Sequence, residues 1–377
     1  MRTSHVQRFR SAPVSPITLA LKRSFLALLS TLAAGAVLLA APLQAQFVYV
    51  TNGGDNTISA YSIGSNGALT PVSGSPFPAG YSPAGLAFDS AAGLLYSGNQ
   101  YTNGNHHGLA GTVTWYSIDS SGALTSASGS PFVINTGVES LTINPAGQFL
   151  YVGTDNAGVA GFSIGSTGTL TKIPGSPFEP KRYIGSAAID PKAKFAYVTA
   201  LSGVLGYSTI SADGALKRLS GSPFSMGRRP ASIVIDRTGS FLAVSNSDSN
   251  EISVDSIGSD GTLTPVAGSP FENRGGPSEM ALDPKGFLYV SNENNNTVSG
   301  YNLQSDGSLT PVPNSPFATG SIPDGLAVDS TGKFLYVTNL GAKTVSGYSI
   351  NSDGSLAPLP GSPYAAGTLP RAVLVTP

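Results

Sequence analysis

Phe334-Leu335-Tyr336-Val337-Thr338-Asn339 and Val345-Ser346-Gly347-Tyr348-Ser349-Ile350 read as two short strands joined by a hairpin. Ahead of them, Pro323-Asp324-Gly325-Leu326-Ala327-Val328-Asp329 supplies one more strand. Behind them, the turn Asp353-Gly354 leads into a Pro-rich segment that ends Ser362-Pro363-Tyr364. The same order recurs along the chain, and its end, Ser-Pro-Phe or Ser-Pro-Tyr, begins at Ser75, Ser130, Ser176, Ser222, Ser269, Ser315 and Ser362. The steps are 55, 46, 46, 47, 46 and 47 residues. Four short strands in a period of about 40–50 residues mark one blade of a β-propeller, so seven periods predict an all-β, seven-bladed β-propeller with four antiparallel strands per blade.

The two ends of the repeat array predict how the ring closes. The array begins at Phe47-Val48-Tyr49-Val50-Thr51-Asn52, a second-strand pattern without a first strand before it. Pro370-Arg371-Ala372-Val373-Leu374-Val375-Thr376 repeats the first-strand pattern of residues 323–329 with no second strand after it. The C-terminal strand should complete the N-terminal blade as its innermost strand. Between the third and fourth strands stand Asn66-Gly67, Ser121-Gly122, Thr167-Gly168, Asp213-Gly214, Asp260-Gly261, Asp306-Gly307 and Asp353-Gly354, where glycine provides the positive φ of a tight hairpin. In the seventh period the strands are expected near 323–329, 334–339, 344–350 and 355–364, the last an outer edge strand on which proline is tolerated.

Residues 1–45 lie outside the repeats. Arg2, Arg8, Arg10, Lys22 and Arg23 precede an apolar run from Ser24 to Ala41, which reads as a secretory signal peptide or, alternatively, a retained anchor. Both predict an extracytoplasmic ring, periplasmic or secreted, with residues 46–377 as a single propeller domain and, once the signal is removed, no membrane contact. Removing the 5 basic residues of the leader leaves 15 basic against 21 acidic, a balance that argues against nucleic acid as a partner. With no cysteine, the chain has neither disulfides, nor thiolate metal sites, nor a cysteine nucleophile. No cofactor and no metal are expected, and the ring should work as a monomer.

In an antiparallel blade the loop entering strand one and the hairpin between strands two and three lie at the same end. They build one face of the ring and the mouth of its channel, where function is expected. Seven arginines follow the leader, and Arg182, Arg228, Arg229, Arg274 and Arg371 fall on crossings into strand one. With Lys181, and with Glu279 and Glu293 nearby, they predict a cationic rim able to hold a carboxylate or phosphate by paired hydrogen bonds. The alternative is that these arginines are solvated or bridge neighbouring blades. His106 and His107 lie in the insertion that lengthens the second period, and a surface loop rather than a metal site is expected there. Asp255 and Ala243 replace the aromatic residues of the other periods in the fifth, which predicts either a polar niche or a repacked core.

Tyr49-Val50-Thr51-Asn52 and Tyr336-Val337-Thr338-Asn339, with Asn56-Thr57-Ile58-Ser59 and Asn296-Thr297-Val298-Ser299, resemble the Tyr-Val-Thr-Asn repeats of the seven-bladed lactonase family of 6-phosphogluconolactonase type. The resemblance spans essentially everything after the leader. It implies a carboxylic ester hydrolase, with Arg371 of Pro370-Arg371 in the family's arginine slot and Glu293 of Asn292-Glu293 in its glutamate slot. The family's histidine slot is filled by Gly85, Ser232, Glu279, Gly325 and Ala372, so Glu279 is the substitute general base. Two readings are carried: a lactonase-like hydrolase of an anionic sugar lactone, with Glu279 and Glu293 catalytic and Arg182, Arg228, Arg229, Arg274 and Arg371 binding substrate; and a non-enzymatic propeller that binds a small anionic ligand, a glycan or a protein.

Overall fold

The computed structural model describes residues 46–102, 110–179, 182–201, 203–209 and 213–377. Residues 1–45, read above as a signal peptide, Lys181 and the pair His106 and His107 lie outside the described residues. The described chain forms seven antiparallel sheets and no helix. Blade 1 holds Phe47–Asn52, Thr57–Ile63 and Leu69–Pro71, and its innermost strand is Pro370–Val375. The other six blades follow in chain order, with first strands Tyr81–Asp89, Val138–Ile143, Ile184–Ile189, Pro230–Ile235, Pro277–Leu282 and Pro323–Val328.

The closure is as the sequence predicts. Val48 faces Val375 and Asn52 faces Pro370 in antiparallel register. Thr376 hooks the end of the strand, its hydroxyl accepting from the Phe47 amide at 2.9 Å and its own amide donating to the Phe47 carbonyl at 2.9 Å.

Each letter of the Tyr-Val-Thr-Asn motif has an architectural role. The tyrosine is buried in the wall between two blades and its hydroxyl donates to the glycine carbonyl of the next blade's tight turn. Tyr49 reaches Gly122 at 2.9 Å, Tyr289 reaches Gly354 at 2.8 Å, and Tyr336 closes the ring onto Gly67 at 2.8 Å. Valine fills the core. The Thr or Ser hydroxyl staples two inner strands: Thr338 accepts from the Gly325 amide at 2.8 Å and donates to the Arg371 carbonyl of the next blade at 2.5 Å. The asparagine side chain donates to two hydroxyls of strand three, as Asn292 does to Thr297 at 3.0 Å and Ser299 at 2.9 Å. All these groups are buried, and a buried polar group without a partner costs about 1–3 kcal/mol, which accounts for the motif's repetition.

The fourth strand departs from the continuous segment predicted. In blade 7 it is two pieces, Leu356–Pro358 and Tyr364–Ala365, both paired with strand three. Between them the Ser-Pro turn leaves the ladder, and the serine hydroxyl takes over as acceptor. Ser362 accepts from the Gly347 amide at 2.9 Å, and Ser75, Ser130, Ser176, Ser222, Ser269 and Ser315 do the same in their blades. The Ser-Pro-aromatic signature is thus a repair of the interrupted outer ladder. The aspartates that end strand one are also structural: Asp329 accepts from the Lys333 and Phe334 amides at 2.7 Å, closing the next turn.

Candidate functional site at the channel mouth

In every blade the innermost strand carries a register shift near its start, after the first residue in six blades, as between Pro277 and Met280 or Pro323 and Leu326, and after Pro83 in blade 2. A bulge re-aims the residues it frees. The one or two residues at this shift differ from blade to blade, and several are ionisable: Glu279, beside Ser278, in blade 6, Asp324 in blade 7, Arg371 in blade 1 and Glu139 in blade 3.

Glu279 is held by the hydroxyls of Ser232 and Ser291. Ser232, at the same register in blade 5 and 1% exposed, donates to its Oε2 at 2.8 Å. That hydroxyl also accepts from the Met280 amide at 3.2 Å, while the Glu279 amide donates to Ser291 at 3.0 Å. Loss of hydration pushes the Glu279 carboxyl up to about 7, the Asp324 and Glu293 charges push the same way, and the Ser232 hydrogen bond opposes them. Asp324 is pushed up to about 6, chiefly by burial, with Arg371 opposing. Burial also raises Glu139, again against Arg371. The Tyr183 hydroxyl is raised by burial and feels the charges of Glu139, Glu279 and Arg371 together, with that of Arg229 reaching it from the rim.

A carboxyl whose proton affinity is raised to near neutrality can accept a proton from water, and a cation at the same mouth can face developing negative charge.

Of the residues singled out from sequence, Glu279 and Arg371 share this mouth. Glu293 is exposed on the hairpin after strand two and acts there through its charge. The other arginines do not converge. Arg182 lies 3.6 Å from Glu179, which also takes Arg218 at 3.0 Å. Arg229 lies 3.7 Å from Asp248 and Arg228 donates to the Asp248 carbonyl at 3.4 Å, both exposed. Arg274 is 81% exposed and pairs with Glu272. A broad surface depression between blades 5 and 6 is lined by Ser249, Glu251, Glu272, Arg274 and Asn295, and includes neither Glu279 nor Arg371. The expected cationic rim is instead a set of local ion pairs around a mouth richer in carboxylates.

Counting residue types does not single out Asp324, Glu139 or Tyr183, and it places Ser232 only as an occupant of the histidine slot. The signal was register: Asp324 and Glu139 occupy in their blades the place that Arg371 occupies in its own. In the fifth blade, Asp255 is 3% exposed and its carboxyl is pushed up to about 6 by burial. A small apolar cavity remains where Ala243 stands for tyrosine, lined by Phe241, Val254, Leu282 and Leu288. Among the described residues no three His, Cys, Asp or Glu side chains are grouped to hold a metal ion, and no helix is long and apolar enough to cross a membrane.

The family model of the lactonase seven-bladed β-propeller matches residues 259–373, the stretch that carries Glu279, Glu293, Asp324 and Arg371. The resemblance to the lactonase propellers holds. No curated protein sequence matches the chain. Among solved structures, a candidate 6-phosphogluconolactonase of Bacteroides uniformis is 15% identical with a TM-score of 0.75, covering 88% of this chain and 100% of its own. The periplasmic gluconolactonase of Pseudomonas aeruginosa is 16% identical with a TM-score of 0.74, covering 88% and 99%. A virginiamycin B lyase of Staphylococcus aureus is 17% identical with a TM-score of 0.51, covering 74% and 84%. At these identities the likeness establishes the fold, which hosts more than one named activity.

Proposed function

We propose that the protein hydrolyses a sugar lactone at the channel mouth, with Glu279 as general base and Arg371 as the cation that faces the reacting carbonyl. The observation that carries this is a single one: a desolvated carboxyl pushed up to about 7, fixed by Ser232 and placed in the same mouth as the inner-strand arginine. A water bound at Glu279 gives its proton to the carboxylate and its oxygen to the lactone carbonyl carbon. The tetrahedral oxyanion is stabilised by Arg371. Collapse breaks the ring C–O bond, Glu279 returns the proton to the leaving alkoxide, and the hydroxy acid loses a proton to solvent. The reading includes export through the leader 1–45, and a ring that works as a monomer without cofactor.

A binding propeller is the second reading, and the outward arginines Arg228, Arg229 and Arg274 favour it. Proton release measured over a panel of γ- and δ-aldonolactones separates the two. A hydrolase opens at least one lactone above its spontaneous rate, loses about 10²–10⁴-fold of kcat in Glu279→Gln, and loses activity in Arg371→Ala. No enhancement over the whole panel leaves the binding reading.

A further inference from the structure

The charges around the mouth bear on the substrate's own charge. Asp324, Glu139 and Arg371 take the same place after the first residue of three inner strands, and Glu279 the next place on a fourth. The charges of Asp324 and Glu293 act on Glu279, and Arg371 acts on both Asp324 and Glu139. Against these four carboxyl groups the mouth has Arg371, and Arg229 at its edge shares its charge with Asp248 at 3.7 Å. Arg371 itself is opposed from both sides, by Asp324 in the preceding blade and by Glu139 two blades on. Arg274, which could have neutralised an incoming anion, is engaged by Glu272, and Arg182 shares Glu179 with Arg218.

We infer that the lactone taken at this mouth is an uncharged, polyhydroxylated one, and that Asp324 is the residue that turns away lactones bearing a phosphate or a second acid group. This rests on the hydrolase reading above. An ionised carboxylate offers about four lone-pair sites and no donor, so Asp324, Glu139 and Glu293 accept from sugar hydroxyls, while Arg371 and Tyr183 donate. The same acceptors repel a phosphate dianion, and the low dielectric of a partly enclosed channel strengthens that repulsion. They also repel the product: a neutral lactone enters, an aldonate anion forms, and the field at the mouth speeds its departure.

The test compares kcat/KM for glucono-δ-lactone and its 6-phosphate at pH 7.5 and low ionic strength, in the wild-type protein and in Asp324→Asn and Glu293→Gln. The neutral lactone should be preferred at least tenfold. The preference should shrink as salt is added and fall severalfold in Asp324→Asn, with a smaller fall in Glu293→Gln because that residue is exposed. Equal or better use of the phosphate, or a ratio that Asp324→Asn leaves unchanged, overturns the inference. If neither lactone is opened, the hydrolase reading has failed, and calorimetry with gluconolactam and its 6-phosphate tests the charge argument separately. Tighter binding of the neutral lactam supports it; tighter binding of the phosphate, or binding of neither, overturns it.

Discussion

Replacing Glu279 by glutamine should abolish turnover and make the ring more stable. Glutamine keeps the size of the side chain and an oxygen to accept from Ser232, but it cannot ionise. In the wild-type protein the carboxyl is neutral in folded and unfolded chains at low pH and imposes no penalty there. As pH rises, the unfolded chain ionises near the ordinary value of 4.5 while the folded chain holds its proton until about 7. Stability contributed by the neutral form is therefore lost across that window and stays lost above it. At 1.36 kcal/mol per pKa unit the penalty at pH 8 is on the order of 3 kcal/mol. With an unfolding entropy near 2.1 cal/mol/K per residue, a ring of roughly 330 residues should gain about 4 °C in Tm. Calorimetric melts of both proteins at pH 4 and pH 8 check this: the curves should coincide at pH 4 and separate at pH 8, with glutamine higher. A glutamine variant that melts at or below wild type at pH 8 would refute the desolvated carboxylate on which the catalytic argument depends.

Asp255→Asn is the matching control, because that carboxyl is also pushed up by burial, to about 6, but lies in the core of blade 5. It should stabilise the ring by about 3 kcal/mol at pH 8 and leave any lactone turnover within twofold; a loss of activity would show that the two carboxylates are coupled. Ser232→Ala removes the larger of the two hydrogen bonds that lower Glu279's proton affinity, the other coming from the Met280 amide. The midpoint of the pH–rate curve should move upward, with about a tenfold loss at pH 7 that Ser232→Thr restores, whereas a fall in rate with an unmoved midpoint would make Ser232 merely structural. Deleting residues 370–377 removes the inner strand of blade 1 and bares the edge at Phe47–Asn52. A lower and broader melt, or aggregation, is expected, and a melt identical to the full chain's would refute the closure.

The fold was legible because each repeated residue serves the ring itself. A tyrosine, a hydroxyl, an asparagine and a Ser-Pro turn are needed once per blade, so periodicity exposes them. The outer strand's division into two pieces was not legible, since a serine hydroxyl replacing a ladder carbonyl leaves the same sequence as a continuous edge strand. The site obeys the opposite logic. Glu139, Glu279, Asp324 and Arg371 are single departures from a pattern, and only the register of the innermost strand brings them to one mouth. Counting arginines by loop overlooked that Glu179, Asp248 and Glu272 stand beside Arg182, Arg229 and Arg274. A crossing loop places a residue on the functional face; whether its side chain reaches the channel depends on neighbours that the loop's own sequence does not contain.

In the proposed reaction Glu279, in its ionised form, activates water at this mouth. The pH dependence of kcat/KM for the most reactive lactone of the panel, taken from pH 5 to 8.5 by proton release, tests it most directly. The rate should rise with pH on a single ionisation near 7 and disappear in Glu279→Gln. A flat profile, or a Glu279→Gln protein that retains both the rate and its midpoint, would contradict it.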